Sequence, residues 1–394
     1  MDPTLLVCEI YDSFSEDRKP FNDSILPKSY SARGTPNLAF LPAKTSLKET
    51  SNLPAVYADE EKYKLLNEIK NRFNSDKFSI SRDAMNPFEQ LGRIGYRSIF
   101  MNRAAIKLAN IDAIFHLTKH LGGMIRMRVD DDFSFCDVAA GPGGFTEYIQ
   151  FRQERAKGYG MTIRGDLDWK FSSLDMGRFM AFYGDDNTGN LYKNWEWFVK
   201  RIIDMEGDGT DLVMGDGGFE ISEGEDFSRQ EWLSTRLLLC QILIGIGCCR
   251  PGGNFLVKIF DTVTEISAQL IYILSCCFET ITIFKPVSSR PANSERYMIC
   301  KGKKESVGQY YNLLKQAADL YTDETVLSQI IKSVPEDFMI WLREQNELSI
   351  NRQIEMGKSI VSHMNGEEVI VPKYNLRQAL IAWNLPGNVP GKTD

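Results

Sequence analysis

This sequence predicts an α/β fold with a mostly parallel sheet and an antiparallel last strand, on three observations. Residues 133–145, FSFCDVAAGPGGF, begin as a buried strand pattern (Phe133, Phe135, Cys136, Val138) and pass through Asp137 and a glycine-rich turn into a helical pattern, FTEYIQFRQERAK. Residues 210–219, TDLVMGDGGF, repeat the logic: a buried run ends in an acid, Asp216, and glycines then force a turn. In a parallel α/β sheet such turns belong on the ligand-facing C-terminal edge. From about 96 to 303 strand and helix patterns go on alternating, and the last two strand patterns, TITIFKP and RYMICKG, are close enough to pair antiparallel.

Taken in order, residues 1–55 carry scattered Pro, Ser, Asn and Lys without periodicity and read as irregular. Residues 56–95 read as a helical extension, clearest in EEKYKLLNEIKNRF from Glu60 to Phe73, whose basic face is either a solvated surface or an RNA contact. In SIFMNRAAIKLANIDAIFHLTKHL, helical spacing puts Lys107 in one stripe with Ile111 and Ile114, where a lysine costs free energy unless it snorkels or is used. A second strand, GYGMTIRG at 158–165, and an irregular part with Trp169, Trp195 and Trp197 follow.

After Asp216 comes the helix STRLLLCQILIGIGCC, stopped by Pro251-Gly252-Gly253, and then the strand NFLVKIFD. Lys258 stands in that strand among Phe255, Leu256, Val257, Ile259 and Phe260. A central strand buries both faces, so either this is an edge strand with an outward lysine or the lysine is functional. The helix SAQLIYILSCCF precedes the final strand pair, and Glu295 lies where the loop VSSRPANSE meets the last strand. Residues 304–394 read as a helical extension, with QYYNLLKQAADLY, EDFMIWLREQNELS and NLRQALIAWNL as its helices.

Composition sets the outer limits. The 394 residues, 43% of them hydrophobic, suffice for one large core or a core with a smaller module. A net charge of −7 argues against a uniformly basic coat for nucleic acid but allows a local basic groove. Eight cysteines, including the adjacent pairs Cys248-Cys249 and Cys276-Cys277, lie mostly in apolar runs without C-x-x-C spacing. That argues against disulfides and a zinc site, and for a reducing compartment. The start, MDPTLLVCEIYD, lacks the marks of a secretion signal, and no apolar run reaches the ~20 residues of a membrane span, so a soluble intracellular protein is expected. Of three histidines, His116 and His120 are four apart, but Leu117 stands where H-E-x-x-H needs its glutamate, and His363 reads as near a helix end.

The glycine turn is a cradle for a nucleotide-like ligand. A dinucleotide site would show G-x-G-x-x-G and a phosphate site G-x-x-x-x-G-K-[ST]; Gly141-Pro142-Gly143-Gly144-Phe145 fits neither. D-x-x-x-G-x-G-G resembles instead the first motif of the S-adenosylmethionine methyltransferases, whose ligand carries no phosphate, with a plain strand-to-helix turn as the alternative. Lys107, Asp216, Lys258 and Glu295 are four charges that the alternating topology could bring to one edge. Methyl transfer to a poorly acidic hydroxyl needs such a set. A partly desolvated lysine beside another cation loses its proton more easily and serves as general base, while carboxylates orient the pair.

The segments FMNRAAIKLANID, DVAAGPGGFTEY, KGYGMTIRG, MGDGGF, RLLLCQ, KIFD and FKPVSSRPANSERYMICKG resemble those of the eukaryotic cap-specific mRNA ribose 2′-O-methyltransferases, within the FtsJ-like Rossmann-fold group, over roughly residues 82–303. The resemblance implies a Rossmann-like S-adenosylmethionine-dependent methyltransferase domain at 96–303 that modifies the ribose 2′-hydroxyl of the first transcribed nucleotide of 7-methylguanosine-capped mRNA. The family's catalytic Lys-Asp-Lys-Glu set falls on Lys107, Asp216, Lys258 and Glu295, with Lys258 as base, Lys107 and Asp216 tuning and positioning it, and Glu295 holding the lysines. The implied cofactor, S-adenosylmethionine, falls to Asn102, to Ala139, Ala140, Gly141, Pro142, Gly143, Gly144 and Phe145, and to Asn190 and Leu191; Asn190 stands where relatives carry an aspartate.

Substrate contacts fall on Arg82, Asp226, Phe227, Ser228, Asn293 and Ser294, and Arg82, Lys107, Lys258, Arg290 and Arg296 are expected to line one edge for RNA. The implied partner is the 5′ end of capped mRNA, with other capping enzymes or RNA polymerase as candidates, and neither membrane nor metal is required. The implied location is the nucleus, or the cytoplasm for a virus or cytoplasmic genetic element. Two other readings stay open. One is a 2′-O-methyltransferase for the second cap nucleotide or for uncapped RNA; the other is a non-catalytic cap-binding subunit, against which the four intact charges count.

Overall fold

The structure, a computed structural model, describes residues 27–386 apart from 47–48, 51–54, 74–75, 93–98, 119–132, 220–228 and 372–375. The chain runs through β1 (Phe40–Ser46), α1 (Glu60–Lys70), α2 (Phe78–Ala84), α3 (Arg103–Phe115), β2 (Ser134–Val138), α4 (Gly144–Arg152), β3 (Lys157–Met161), β4 (Phe179–Phe182), α5 (Leu191–Glu206) and β5 (Thr210–Gly215). It continues through α6 (Gln230–Cys248), β6 (Cys249–Ile259), α7 (Glu265–Cys277), β7 (Phe278–Phe284), β8 (Arg296–Lys303), α8 (Gly308–Ala318), β9 (Thr325–Ile331), α9 (Glu336–Met364) and α10 (Leu376–Ala382).

Seven strands form one sheet in the order β4-β3-β2-β5-β6-β8-β7, in which only β8 runs antiparallel to its neighbours. The chain works outward from β2 on one side and from β5 on the other. The C-terminal ends of β2 and β5 therefore flank the crevice where a Rossmann-like sheet takes its ligand. Alternation along the strands sorts side chains between two helical layers. Phe135, Leu212, Met214, Leu256, Tyr297 and Ile299 pack with α3, α4 and α10, while Cys136, Val213, Val257, Met298 and Cys300 pack with α5 to α8. Each large apolar side chain buried this way contributes about 1.5–3 kcal/mol, so the two faces supply most of the drive to fold.

Several expectations need correction. The stretch with Trp195 and Trp197 is α5, not irregular: Leu191, Trp195, Phe198 and Ile202 recur at helical spacing and are buried, and Asn190 caps the start by accepting from the Tyr192 N–H at 2.9 Å. Strand β4 precedes it. The strand expected at 158–165 covers Lys157–Met161. Helix α3 ends at Phe115 because His116 takes a left-handed conformation, φ 56°; His120 lies outside the described residues. Pro251 does follow the end of α6, but β6 already begins at Cys249 and takes in Pro251-Gly252-Gly253, with a register shift against β5 between Thr210 and Leu212. Within 1–55, expected to be irregular, β1 pairs antiparallel with β9, itself a strand inside the extension read as helical.

By length and composition α6 could cross a membrane, but 78% of its apolar window is buried against the sheet and its neighbouring helices. The seven cysteines described are all buried and free. Helix α9 returns to the sheet through Arg296. Expected on the basic edge, Arg296 is instead buried, donating to the Phe260 carbonyl at 3.0 Å and to Thr262 Oγ1 and Asn346 Oδ1 at 3.1 Å. Near the end of α9, His363 meets Ser81 of α2, Nδ1 to Oγ 2.9 Å.

Candidate active site

The glycine turn leaves β2 at Ala139, whose φ is 51°, and closes with the Gly143 N–H donating to the Ala140 carbonyl at 2.8 Å. Gly143 sits at φ 108°, a conformation that side chains disfavour. A Cβ there would meet Leu174 and Trp169 at 3.1 Å, and one on Gly144 would meet Asn102 Oδ1 at 2.1 Å. Reading the turn as a ligand cradle implies that glycine is there to leave room for the ligand. At these two positions the missing side chain would point into protein, so close packing of the 169–174 segment and of Asn102 is the reason. Asn102 caps α3, its Oδ1 accepting from the Ala104 N–H at 2.9 Å, and that cap lies against Gly144. Pro142 accepts from the Lys170 N–H at 2.9 Å, and Phe145 is buried in the core. Asn190 and Leu191 open α5, the one spent on its cap and the other buried.

At the foot of the turn Asp137 is fully buried. Its Oδ2 accepts from the Thr146 N–H at 3.1 Å and hydroxyl at 2.8 Å, while Oδ1 lacks a hydrogen-bond partner among the described residues. Burial, opposed by the Thr146 bonds and helped by the charge of Asp216, holds its carboxyl well above the ordinary range.

The four charged residues do come together. Met214 and Leu256 face the α3 layer, so two residues on Asp216 and Lys258 face it too, as does Tyr297; Lys107 reaches the same place from α3. Lys107 Nζ lies 2.6 Å from Glu295 Oε1, and Lys258 Nζ lies 3.3 Å from Asp216 Oδ1, with all four side chains only 11–17% exposed. The Tyr297 hydroxyl donates to Asp216 Oδ1 at 2.8 Å and the Ser289 hydroxyl to Glu295 Oε1 at 2.7 Å. Burial would raise the pKa of Glu295, but Lys107 and then Lys258 outweigh it and hold the carboxyl well below its ordinary range. Lys107 therefore does not snorkel, and β6 lies inside the sheet between β5 and β8, so Lys258 is no outward edge lysine. A small pocket lined by Gly217, Glu231, Ser234, Gln241, Lys258 and Asp261 lies where β6 meets the start of α6.

The residues expected to touch substrate are less gathered. Arg82 on α2 donates to its neighbour Asp83 and lies over the Phe78 ring at 5.5 Å. Asp226, Phe227 and Ser228 lie outside the described residues. Asn293 faces Lys285, and Ser294 is buried with its hydroxyl donating to Gln230 at 3.1 Å. Arg290 pairs with Glu89, which also holds Arg103 at 2.7 Å. Tyr297, Ser289 and Lys285 were missed. All three stand inside FKPVSSRPANSERY, and alternation from Glu295 along the following strand would have pointed to Tyr297.

Residues 100–303 match the model of the FtsJ-like methyltransferase family. Several relatives carry the name cap-specific mRNA (nucleoside-2'-O-)-methyltransferase 1. That of Xenopus laevis is 41% identical over 250 residues, 59% of this chain and 29% of the relative. That of Bos taurus is 33% identical over 344 residues, 80% of this chain and 40% of the relative. That of Drosophila melanogaster is 35% identical over 336 residues, 79% of this chain and 42% of the relative. The chain thus spans well under half the length of these curated relatives.

Proposed function

We propose that this chain, which belongs to the FtsJ-like methyltransferase family, methylates the ribose 2′-hydroxyl of the first transcribed nucleotide of 7-methylguanosine-capped mRNA. The observation that carries the reading is the pairing of two lysines with two carboxylates beside the glycine turn, Lys107 with Glu295 at 2.6 Å and Lys258 with Asp216 at 3.3 Å. The names of the relatives support the substrate. S-adenosylmethionine, when bound, supplies a methyl group on a positively charged sulfur. The turn from Ala139 to Phe145, with Asn102 against it, would hold that cofactor.

Lys258 Nζ, entering the step as a neutral amine, takes the proton of the attacking hydroxyl and becomes an ammonium, so its lone pair must be aimed. Asp216, itself fixed by the Tyr297 hydroxyl, aims it. Lys107, held by Glu295, is placed to stabilise the negative charge that develops on the oxygen. Glu295 stays ionised because both lysines outweigh its burial. Arg82, Asn293, Ser294 and residues 226–228 are proposed to contact the RNA, and residues 96–303 to form the catalytic domain. A nuclear location, with other capping enzymes or RNA polymerase as partners, follows from the substrate; a viral or cytoplasmic element would place it in the cytoplasm.

The test is transfer of labelled methyl to a short capped RNA and to the same RNA ending in triphosphate, followed by nuclease mapping. Much faster transfer to the capped RNA, with the label on the first transcribed ribose, is expected. Equal rates, or a label on an internal ribose, would overturn the assignment of substrate. Capped-RNA binding without any transfer would favour a non-catalytic cap-binding subunit.

A further inference from the structure

Lys285 follows β7 directly and has no part in the roles above. Its ammonium donates to the Asn293 carbonyl and to Asn293 Oδ1, each at 2.7 Å, and to the Glu295 carbonyl at 2.8 Å. Three acceptors from one short turn converge on one nitrogen, a number that an ammonium group can serve and a neutral amine cannot. From the same turn the Glu295 side chain reaches Lys107 at 2.6 Å and accepts from Ser289 at 2.7 Å. The backbone that Lys285 grips is therefore the backbone from which the Lys107–Glu295 pair is hung.

Desolvation draws Lys285 down to about 7 against the opposing charge of Glu295, with Arg296 and Lys107 pushing the same way as burial and Asp261 against it. A cation held in such surroundings costs free energy, and a methionine would fill a similar volume without that cost. The lysine thus makes little sense as a packing residue. It makes sense as a clamp, because an error of about 1 Å in the placement of a catalytic group can cost on the order of a hundredfold in rate.

We propose that Lys285 is a positioning residue for methyl transfer: by gripping the Asn293–Glu295 turn it sets where the Glu295 carboxylate meets Lys107 and how Asn293 is presented to the acceptor nucleotide. This rests on the reaction proposed above. Lys285→Met is assayed beside the wild type on capped RNA, with S-adenosylmethionine affinity measured by calorimetry. The variant should melt within a few degrees of the wild type and bind cofactor within about threefold, while kcat falls at least about tenfold and KM for RNA rises several-fold.

A lysine that only helped the fold would reduce the number of competent molecules. KM would then stay unchanged, and the loss of activity would match the loss of cofactor-binding protein. That result, or wild-type kinetics, would overturn the proposal. Should Lys285→Met not fold, Lys285→Gln, which loses the charge and the reach, carries the same expectations. Absence of transfer by the wild type would instead overturn the reaction itself, and this assignment with it.

Discussion

Lys258 on β6 and Tyr297 on β8 face each other across an antiparallel pair, and both side chains end on Asp216 Oδ1, at 3.3 and 2.8 Å. Residues directly opposite on paired strands project to the same side, so strand register rather than a loop sets this meeting. Burial, and then the charge of Asp216, hold the Tyr297 hydroxyl well above its ordinary pKa, so it remains a donor. Tyr297→Phe removes that bond and keeps the ring. With a bond to a charged acceptor contributing roughly 1.5–3 kcal/mol, kcat should fall about tenfold or more at unchanged cofactor affinity. Unchanged kcat would show that Asp216 aims Lys258 without help.

Lys258→Met should lower kcat by about a hundredfold or more, since proton removal is what a positioned base supplies, with RNA and cofactor binding held within a few-fold. Lys107→Met and Asp216→Ala should each cost a similar factor, and pairs of these changes should cost no more than the worse single change. Losses that multiply would mean that the groups act independently.

Gly143→Ala should weaken S-adenosylmethionine binding and also lower the melting temperature. The new Cβ meets Trp169 and Leu174 at 3.1 Å, and the backbone at φ 108° disfavours any side chain, for a cost of about 1–2 kcal/mol. Calorimetry and thermal melting read the two effects separately. Loss of cofactor binding with an unchanged melting temperature would restore the view that the glycine only makes room for the ligand.

Glu231 on α6 gives a pH test of stability. It accepts from the Val263 and Thr264 N–H groups at 3.1 and 3.0 Å, yet burial pushes its carboxyl from 4.5 up to about 7. The folded protein therefore binds more protons than the unfolded chain between about pH 4.5 and pH 7, so stability falls as pH rises through that window and levels off above it. The loss is on the order of 3 kcal/mol. Urea titrations at pH 5 and pH 8 should find the wild type losing about that much relative to Glu231→Gln. Parallel pH dependence in the two proteins would count against the shift.

Much of this site could be read from the chain before folding. Lys107 and Lys258 stand out because each interrupts an apolar pattern, and Asp216 because it ends one. The rest depended on pairings that no local pattern carries. That β8 inserts between β6 and β7, bringing Tyr297 opposite Lys258, is a matter of sheet order. Arg296 looked like one more cation for the edge, but it alternates to the other face from Tyr297 and is claimed by Asn346, some fifty residues away. Helix α5 was legible, through Leu191, Trp195, Phe198 and Ile202, and was overlooked because two closely spaced tryptophans and several polar residues masked its period.

Glu295 and Arg296 are neighbours in sequence with opposite loyalties. The carboxylate pairs with Lys107 in the proposed reaction centre, and the guanidinium is anchored on Thr262 and, through Asn346, on α9. A chain truncated after residue 303 would retain every charged group of the centre and still strand that guanidinium in the interior, its anchorage on α9 gone. The C-terminal region is thus less an appendage than a buttress, and a stably folded fragment of this protein is expected to extend past Asn346.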